Sequence, residues 1–468
     1  MRSILTILLL ALVLRSSAQT PVLWGMATGG GAHDKGTLFH VAADGTAFTK
    51  VFDFDDASGW GPEGGLCAAP NGKLYGATTH GGEGNSVAGT LFSFDPNGAG
   101  FHKILDFDIT NGGGNWGELV PGGDGLLYGA QYMGSGNGGS IYTVDPTTDA
   151  YTIVHGLNQS TEGSGVTDKL LLGSDGWLYG TAHFGGAHNS GTIFRFDPAT
   201  HAFETLYDLA GGDGGDTPYG GLCEAASGWM YGTTFSGGAN AKGIIYKYHP
   251  VSDQFVKLAD MDTIPGLYCW SSMVIAGPDL VIGTVTTGGN FGSGFIYAIV
   301  PSTDAFSEVY SFGTATGGTQ LGNDIVASDG LVYGLCQGGG TFGMGTAYKF
   351  DPISHALTLL HSFDLTNDGG MPRGELVEAG GPVGIAEQSG HIDVQVTPNP
   401  TDGSLTVFCA NARAGRTAYT ITDALGRAVA SGTLAGERTV LQLPAAPGAY
   451  ALTIIADTTR RTVRFVRR

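Results

Sequence analysis

The clearest repeating unit of this chain contains the segment Leu74-Tyr75-Gly76-Ala77-Thr78. An aromatic or aliphatic residue precedes the same glycine seven times, with spacings of 51, 53, 51, 52, 51 and 51 residues. About 50 residues is the length of one four-stranded blade, so the spacing predicts an all-β, seven-bladed β-propeller. The seven marker glycines are Gly25, Gly76, Gly129, Gly180, Gly232, Gly283 and Gly334.

One repeat, residues 64–108, shows how a blade is built. Asn71-Gly72 predicts a hairpin because both residues tolerate positive φ, and Asp95-Pro96 predicts a turn because proline cannot continue a β ladder. The doublet Gly81-Gly82, which recurs in all repeats except the third, opens a longer loop. The four predicted strands of this blade are residues 64–69, 73–78, 89–94 and 101–107.

The two ends of the repeat region complement each other. The region begins with a second strand, residues 22–25, that has no first strand before it. It ends with a first strand, residues 374–379, that has no second strand after it. Pairing these two segments would close a ring and leave no split blade unpaired. We therefore predict a closed propeller over residues 19–380.

The repeat motif resembles a known bacterial repeat. Leu-Tyr-Gly, a Gly-Gly doublet, Gly-Thr-(Leu/Ile)-Phe and Phe-Asp-Pro follow one another at residues 74–96 and 178–198. This pattern resembles the tandem repeat called GloVer over about residues 22–380. The resemblance implies an exported protein but no established activity. A looser similarity is to kelch propellers, which also carry a glycine doublet after the second strand.

The N-terminus has the pattern of a secretion signal. Arg2 precedes an apolar run at residues 4–14, which is too short to span a bilayer, and small residues follow at 16–18. We predict a signal peptide over residues 1–18, with a membrane anchor as the alternative reading. No other stretch is long and apolar enough to be a transmembrane segment.

The pattern changes after a glycine-rich linker at residues 381–390. Alternating apolar residues over 391–468 predict a small Ig-like β-sandwich. It is similar to the type A sorting domain of type IX secretion substrates, which implies the type IX machinery as a partner and an extracellular or outer-surface location. A generic adhesion sandwich is the alternative. The similarity depends on Pro398, Asn399, Pro400, Gly403, Asp423, Gly426, Arg427, Gly448 and Tyr450.

The net charge limits the class of partner, and the cysteines limit the covalent framework. Residues 19–390 contain 37 acidic and 11 basic residues, a net charge of −26, so nucleic acid is excluded as a partner of the propeller. The five cysteines are odd in number and widely scattered, which argues against a disulfide framework. Cys67 and Cys223 occupy the same repeat position and are interpreted as small buried residues.

A candidate ligand-binding surface lies on the face that carries the long loops. The position thirteen residues before each marker glycine can be compared around the ring. Trp116, Tyr219 and Trp270 at this position could stack on sugar rings, and packing between blades is the equally weighted alternative. Glu63 at this position, and Arg373 at the equivalent place before the closing strand, could supply polar contacts. Thr167 and Leu321 complete the ring.

The acidic loops raise the question of calcium. Residues 211–216 fit one copy of a calcium-binding nonapeptide pattern that works in tandem, and Asp53, Asp55 and Asp56 form a second cluster. Solvated loop carboxylates are the favoured interpretation, so no metal or cofactor is predicted, with calcium as the open alternative. No nucleophile-elbow, metalloprotease or P-loop motif occurs, so no catalytic residue is assigned.

These observations favour a secreted, non-enzymatic module that binds an extracellular glycan or protein. A propeller enzyme acting on polysaccharide, such as a lyase or hydrolase, is the alternative, since separate blades can assemble a site that no motif reveals. A structural surface protein without a ligand is the third possibility.

Overall fold

The structure is a computed structural model that describes residues 21–379, apart from 84–87, 99, 109, 133, 135–137, 262–265 and 268, together with seven strands beyond residue 393. The chain divides into two compact units between residues 382 and 383. The predicted signal peptide (1–18) and linker (381–390) lie outside the described residues, so both stay predictions.

The first unit is built from short antiparallel strands and one 3-10 helix, Gly212–Gly214. Its strands are β1 (Val22–Ala27), β2 (Thr37–Ala42), β3 (Phe48–Asp53), β4 (Cys67–Ala68), β5 (Leu74–Ala77), β6 (Thr90–Asp95), β7 (Gly100–Asp106), β8 (Val120–Pro121), β9 (Leu127–Gln131), β10 (Ser140–Asp145), β11 (Ala150–Gly156), β12 (Leu171–Leu172), β13 (Leu178–Ala182), β14 (Thr192–Phe196), β15 (Phe203–Asp208), β16 (Cys223–Glu224), β17 (Met230–Thr233), β18 (Ile244–His249), β19 (Gln254–Asp260), β20 (Gly266–Leu267), β21 (Val274–Gly277), β22 (Leu280–Val285), β23 (Thr287–Gly288), β24 (Phe295–Val300), β25 (Ala305–Ser311), β26 (Ile325–Val326), β27 (Val332–Cys336), β28 (Thr346–Phe350), β29 (Leu357–Ser362) and β30 (Val377–Glu378).

These strands form seven four-stranded sheets, each of which is one blade. Blade 1 has the order β30-β1-β2-β3, and blades 2 to 5 are β4–β7, β8–β11, β12–β15 and β16–β19. Blade 6 has the order β21-β22-β24-β25, blade 7 is β26–β29, and β20 forms a separate two-stranded sheet with β23. The predicted all-β, seven-bladed propeller is confirmed.

Blade 1 is closed by the two ends of the repeat region. Leu23 and Trp24 of β1 pair antiparallel with Glu378 and Val377 of β30. Further along the same joint, two backbone hydrogen bonds of 3.1 and 2.9 Å connect Gly29 and Gly370. The predicted pairing of the first mature strand with the last propeller strand is therefore confirmed.

The marker glycines are explained by packing between strands. A Cβ placed on Gly25 would lie 2.8 Å from the side chain of Leu376, the residue just before β30, and 2.8 Å from the ring of Phe39 on β2. Gly76 is enclosed in the same way by Leu66 and Phe92. A larger residue would have to displace buried side chains. Glycine is therefore required for close side-chain packing rather than for backbone flexibility.

The innermost strands are shorter than predicted. Residues 64–69 were expected to form a strand, but only Cys67–Ala68 joins the ladder. Just before β4, a Cβ on Gly64 would lie 2.8 Å from the carbonyl oxygen of Gly117 in the next blade, and Gly117 approaches Asp168 equally closely. These segments pack backbone against backbone around the axis, so they leave the ladder of their own blade.

Cysteine packing agrees with the sequence interpretation. Cys67 and Cys223 are buried and free of disulfides. Burial raises the pKa of each of these two thiols to about 12, so both are neutral at physiological pH and contribute as small core residues.

The second unit contains two sheets, β31-β32-β35 and β34-β33-β36-β37. They share one cluster of buried side chains that includes Leu405, Ile421 and Leu452. Two sheets over one apolar core agree with the predicted sandwich, whose Ig-like topology stays a prediction. Its strands are β31 (Val394–Thr397), β32 (Ser404–Cys409), β33 (Ala418–Asp423), β34 (Ala428–Thr433), β35 (Arg438–Gln442), β36 (Gly448–Ala456) and β37 (Thr459–Arg467).

The predicted sorting motif falls only partly on described residues. Asp423 ends β33, Gly448 begins β36, and Tyr450 is buried in the core of this unit. The remaining motif residues lie outside the described part of the chain, and they are Pro398, Asn399, Pro400, Gly403, Gly426 and Arg427.

Candidate functional site

The long loops of the blades are tied together at one end of the propeller. In blades 1, 2, 4, 5 and 7, the connection that leads into the blade forms a β bridge with the loop that follows the second strand. In blade 2, Trp60 and His80 exchange backbone hydrogen bonds of 2.7 and 3.1 Å. In blade 4, Ser164 and Phe184 do the same at 2.7 and 3.0 Å. Both kinds of loop therefore lie on the same face.

The predicted site residues converge at this end of the channel. Glu63, Trp116, Trp270 and Arg373 line one cavity of about 60 Å³, which we call the mouth, together with Thr167 and Leu321. Tyr219 is not part of this lining, but its ring lies 4.5 Å from that of Trp270. The structure thus brings the predicted residues together, and their role in ligand binding stays a prediction.

The two charged members of the predicted set bind each other. Arg373 Nη1 donates to Glu63 Oε2 at 2.9 Å, and the two side chains are 29% and 22% exposed. This ion pair connects the end of the repeat region to blade 2 on one side of the mouth.

Aromatic side chains form a continuous row on the other side. The Trp116 and Tyr132 rings stack at 5.6 Å with 22° between their planes. Tyr132 contacts His183 at 5.6 Å, and His183 contacts Tyr219 at 4.4 Å, which in turn contacts Trp270. We call these five residues the aromatic arc. It runs across blades 3 to 6, and Trp116 and Tyr132 are its most exposed members, at 38% and 36%.

His183 is the buried residue in the middle of the arc, between Tyr132 and Tyr219. It is 1% exposed, and burial lowers its pKa to about 4. Its Nδ1 lies 3.2 Å from Thr167 Oγ1. The imidazole is therefore neutral at physiological pH, and it positions the Tyr132 and Tyr219 rings rather than contributing charge.

Just inside the mouth lies a cluster of three largely buried charged side chains that we call the charged neck. Lys169 Nζ lies 2.9 Å from Glu118 Oε1 and also forms an ion pair with Glu375. Burial and the nearby Glu118 charge raise the pKa of Glu375 well above its ordinary value. Burial opposes the charge of Lys169, but Glu118 and Glu375 outweigh it, so its pKa is raised and the ammonium stays charged.

A second polar network borders the neck. The carboxylate of Asp168 accepts hydrogen bonds from Gly221 N at 2.7 Å, Ser272 Oγ at 2.6 Å and Asn323 Nδ2 at 2.7 Å. These partners belong to blades 5, 6 and 7, so one carboxylate of blade 4 joins four blades around the axis. Because it accepts hydrogen bonds from three other blades, this partly buried carboxylate helps to hold the blades in their positions around the axis.

Sequence reasoning missed the neck, although a signal was present. Glu118 and Lys169 lie eleven residues before a marker glycine, and Glu375 occupies the equivalent place before the closing strand. All three lie two residues beyond the position compared around the ring. The stretch was interpreted as an apolar strand, so its charged residues were not aligned across blades. Gly65 occupies the same position in blade 2, where a Cβ would collide with the Glu118 carboxylate.

The acidic loop clusters have structural partners. Asp53 Oδ1 accepts from Ala32 N at 2.7 Å and from Lys50 Nζ at 2.8 Å. The equivalent aspartates of blades 2, 4 and 5 also bind the loop after the second strand. Asp55 accepts from Ser58 N at 2.7 Å, and Asp56 pairs with Lys35 at 2.9 Å. These carboxylates hold the loops in place through hydrogen bonds and ion pairs.

The nonapeptide-like segment is also engaged within the protein. Asp213 accepts from Lys257 Nζ at 2.5 Å, and Asp216 Oδ1 accepts from Thr217 Oγ1 at 2.9 Å. Among the residues that the structure describes, no three His, Cys, Asp or Glu side chains are grouped so that they could hold a metal ion. Calcium binding by this segment stays the open alternative.

Comparison with known proteins identifies the family. The model of the Gloeobacter/Verrucomicrobia repeat matches residues 13–171, 84–225 and 166–395. The chain belongs to this repeat family. No curated protein matches it. Within the described part of the chain, no helix has the length and apolar character needed to cross a bilayer.

Solved structures resemble the chain in fold. A protein from Lactobacillus plantarum is 15% identical, with a TM-score of 0.53 over 76% of this chain and 98% of that one. PorZ, a surface component of the type-IX secretion system of Porphyromonas gingivalis, is 16% identical, with a TM-score of 0.43 over 92% of this chain. The match spans 63% of PorZ. At these identities the likeness concerns the fold alone.

Proposed function

We propose that this chain is a non-enzymatic, surface-exposed module that binds a glycan across the mouth of its propeller. The aromatic arc is the observation that carries this proposal. Trp116 and Tyr132 present partly exposed rings in a fixed, stacked arrangement, so a ligand that covers them orders few further side chains. Flat aromatic faces beside polar groups suit the apolar faces and hydroxyl rims of sugar rings.

The size and charge of the site favour an uncharged glycan lying on the surface. The mouth cavity of about 60 Å³ is far below the roughly 300–1,000 Å³ of sites that enclose a small molecule. A sugar ring would therefore lie over the arc rather than inside the channel. The net charge of −26 over residues 19–390 would repel polyanionic glycans.

A glycan array followed by calorimetry on the full chain tests this proposal. Trp116→Ala should weaken binding of the best neutral oligosaccharide at least about tenfold, as expected for an aromatic anchor. Phe342→Ala is the matched control because Phe342 is 55% exposed and lies outside the arc, and it should leave the affinity unchanged.

Equal loss in both variants, or no binding to any glycan, would contradict glycan recognition by the arc. If a secreted or surface protein instead bound the wild type and Trp116→Ala abolished that binding, the same face would be a protein-binding surface.

An enzyme acting on polysaccharide is the second candidate, and one observation favours it. Glu118, Asp168 and Glu375 all line the mouth, and the raised pKa of Glu375 is the property that a general acid requires. Incubation with each bound polysaccharide should then release reducing ends or unsaturated products, and Glu375→Gln should abolish the release. Absence of any product from the wild type excludes this candidate.

We also propose that the second unit directs type IX export to the cell exterior or outer surface. The support is the sorting motif together with the two-sheet unit that carries Asp423, Gly448 and Tyr450. In a host with this secretion system, deletion of residues 391–468 should retain the protein in the periplasm, as seen by cell fractionation. Equal surface exposure of the full and shortened chains would contradict the proposal.

A further inference from the structure

The channel widens beyond the charged neck. Two cavities of about 430 and 510 Å³ lie there, and together their linings include residues from all seven blades. They share five lining residues, so they form one continuous space that we call the channel body. Each volume falls within the range of sites that enclose small molecules. The shared residues are Lys169, Leu171, Leu172, Glu375 and Val377.

The wall of the channel body is mainly apolar. Val120, Leu171, Ile275, Val326 and Val377 contribute side chains from blades 3, 4, 6, 7 and 1. All of them are only half-buried. An apolar concavity of this size with a few converging polar groups is the usual form of a small-molecule site.

The polar lining of this space comprises the neck residues and three carboxyl groups that already accept hydrogen bonds within the protein. These three are Glu224, Asp324 and Glu378, which accept from Ser174, Tyr348 and Ser328. Lys169 and Glu375 line both cavities, and Glu118 lines one of them. The Lys169 ammonium has three N–H groups, and Glu118 and Glu375 accept two of them. Among the residues that the structure describes, none accepts a hydrogen bond from the third N–H. The channel body therefore offers a ligand one hydrogen-bond donor at the end of an apolar space.

The charges of the neck select the kind of acceptor. Two carboxyl groups already surround the single ammonium, so an anionic head would meet repulsion as well as attraction. A cationic head would have to displace Lys169 from carboxylates that it already binds. An uncharged oxygen, as in an alcohol or ketone, accepts the free N–H without either cost.

We propose that the channel body binds a neutral amphiphile, with its apolar part between the innermost strands and an uncharged oxygen at Lys169. This site is separate from the aromatic arc, because the charged neck lies between the two. A glycan at the mouth and an amphiphile in the channel body would therefore bind independently.

The test uses prodan, a neutral fluorescent naphthalene that carries one ketone oxygen, with the full chain. Prodan emission should shift to the blue in a saturable manner, with one molecule bound per chain. 1-Octanol should displace it at concentrations at least about tenfold lower than octanoate or octylammonium, since only the alcohol has a neutral oxygen head.

A variant of the wall localises the binding. Leu172 lines both cavities, is 38% exposed and belongs to none of the described apolar clusters, so Leu172→Asp changes the channel body with little effect on blade packing. It should weaken prodan binding at least about tenfold because a charge enters an apolar wall. Ile353→Asp, at an 88% exposed position, is the matched control and should bind as the wild type does.

Three outcomes would overturn the proposal: no saturable binding by the wild type, equal binding by Leu172→Asp and Ile353→Asp with unchanged thermal unfolding, or displacement by octanoate or octylammonium as effective as that by 1-octanol. Trp116→Ala should leave prodan binding unchanged, which separates failure of this site from failure of the mouth.

Discussion

Blade 1 and blade 4 have the same architecture but different origins in the chain. Blade 4 is one continuous segment, whereas blade 1 joins β30 to β1 across more than 300 residues. In both, a fully or nearly fully buried leucine packs under the marker glycine against a third-strand phenylalanine. The pairs are Leu376 with Phe39 and Leu170 with Phe194. Close packing of a blade therefore does not depend on covalent continuity.

The two blades differ at one position that faces the axis. Lys169 lies eleven residues before the marker of blade 4, Glu375 occupies the equivalent place in blade 1, and these two side chains form an ion pair. Glu118 of blade 3 joins them. The repeats are alike in their cores but have complementary charges at the neck, which ties the closing strand to blades on the far side of the ring.

Deletion of residues 374–379 should give the largest effect, because it removes β30 and leaves β1 as an open edge. We expect the propeller to lose at least about 5 kcal/mol of unfolding free energy, from the loss of buried Leu376 and of the neck pair. Thermal unfolding measures this, and deletion of residues 384–389 in the linker is the control. An unchanged melting temperature would contradict closure by this strand.

Lys169→Met tests whether blades 1 and 4 are coupled through the neck. It leaves two buried carboxyl groups without their cation, which should cost about 3–5 kcal/mol in urea unfolding. Combining it with Glu118→Gln and Glu375→Gln should restore most of that loss, because no unpaired charge remains. If the triple variant were as unstable as Lys169→Met, the loss would come from packing rather than from charge.

Blade 7 can be made to resemble blade 4 at its core. Asp324 stands where blades 1 and 4 have leucine, and burial raises its pKa to about 7, although Tyr348 and Gln320 donate to it at 2.7 and 2.8 Å. The folded state therefore holds this proton more tightly than the unfolded chain. The stability from this group is fully present below about pH 4 and is lost as pH rises to about 7.

A variant that carries Asp324→Leu, Tyr348→Phe and Gln320→Val copies the blade 4 residues Leu170, Phe194 and Val166. Its unfolding free energy should gain roughly 2–3 kcal/mol relative to the wild type between pH 5 and pH 8. Urea unfolding at each pH measures the difference, and a constant difference over this range would contradict ionisation of Asp324.

The Glu63–Arg373 ion pair should have the smallest effect. Both side chains are partly exposed, so a double-mutant cycle with Glu63→Ala and Arg373→Ala should give a coupling of at most about 1 kcal/mol, which falls as salt is added. Blade 4 has Thr167 at this position and no charge, so a coupling of several kcal/mol would mean that the mouth depends on this pair far more than its exposure indicates.

Much of the propeller could be predicted because its information is local. Asn71-Gly72 and Asp95-Pro96 specify turns by backbone preference alone, and the alternation of Phe92 and Phe94 marks a strand. The first strand was predicted too long, since Gly64 and Gly65 respond to the neighbouring blade rather than to their own ladder.

The candidate site was predictable only in part. Counting thirteen residues back from the marker found Trp116 and Trp270, because every repeat places that position at the same end of the channel. Tyr132 and His183 were not assigned to the site, since they come from the loop after the second strand. That loop meets the first-strand segment only through bridges formed in the folded blade.

By itself, the sequence determined the number of blades, their strand order and the joint that closes the ring, because turn chemistry and a fixed period repeat in every copy. Tertiary structure alone decided which side chains meet at the axis. Lys169 and Glu375 are 206 residues apart and become partners only when seven blades close into a circle. Neither charge has an oppositely charged partner within its own repeat, so rules that consider only one repeat do not reveal the pair.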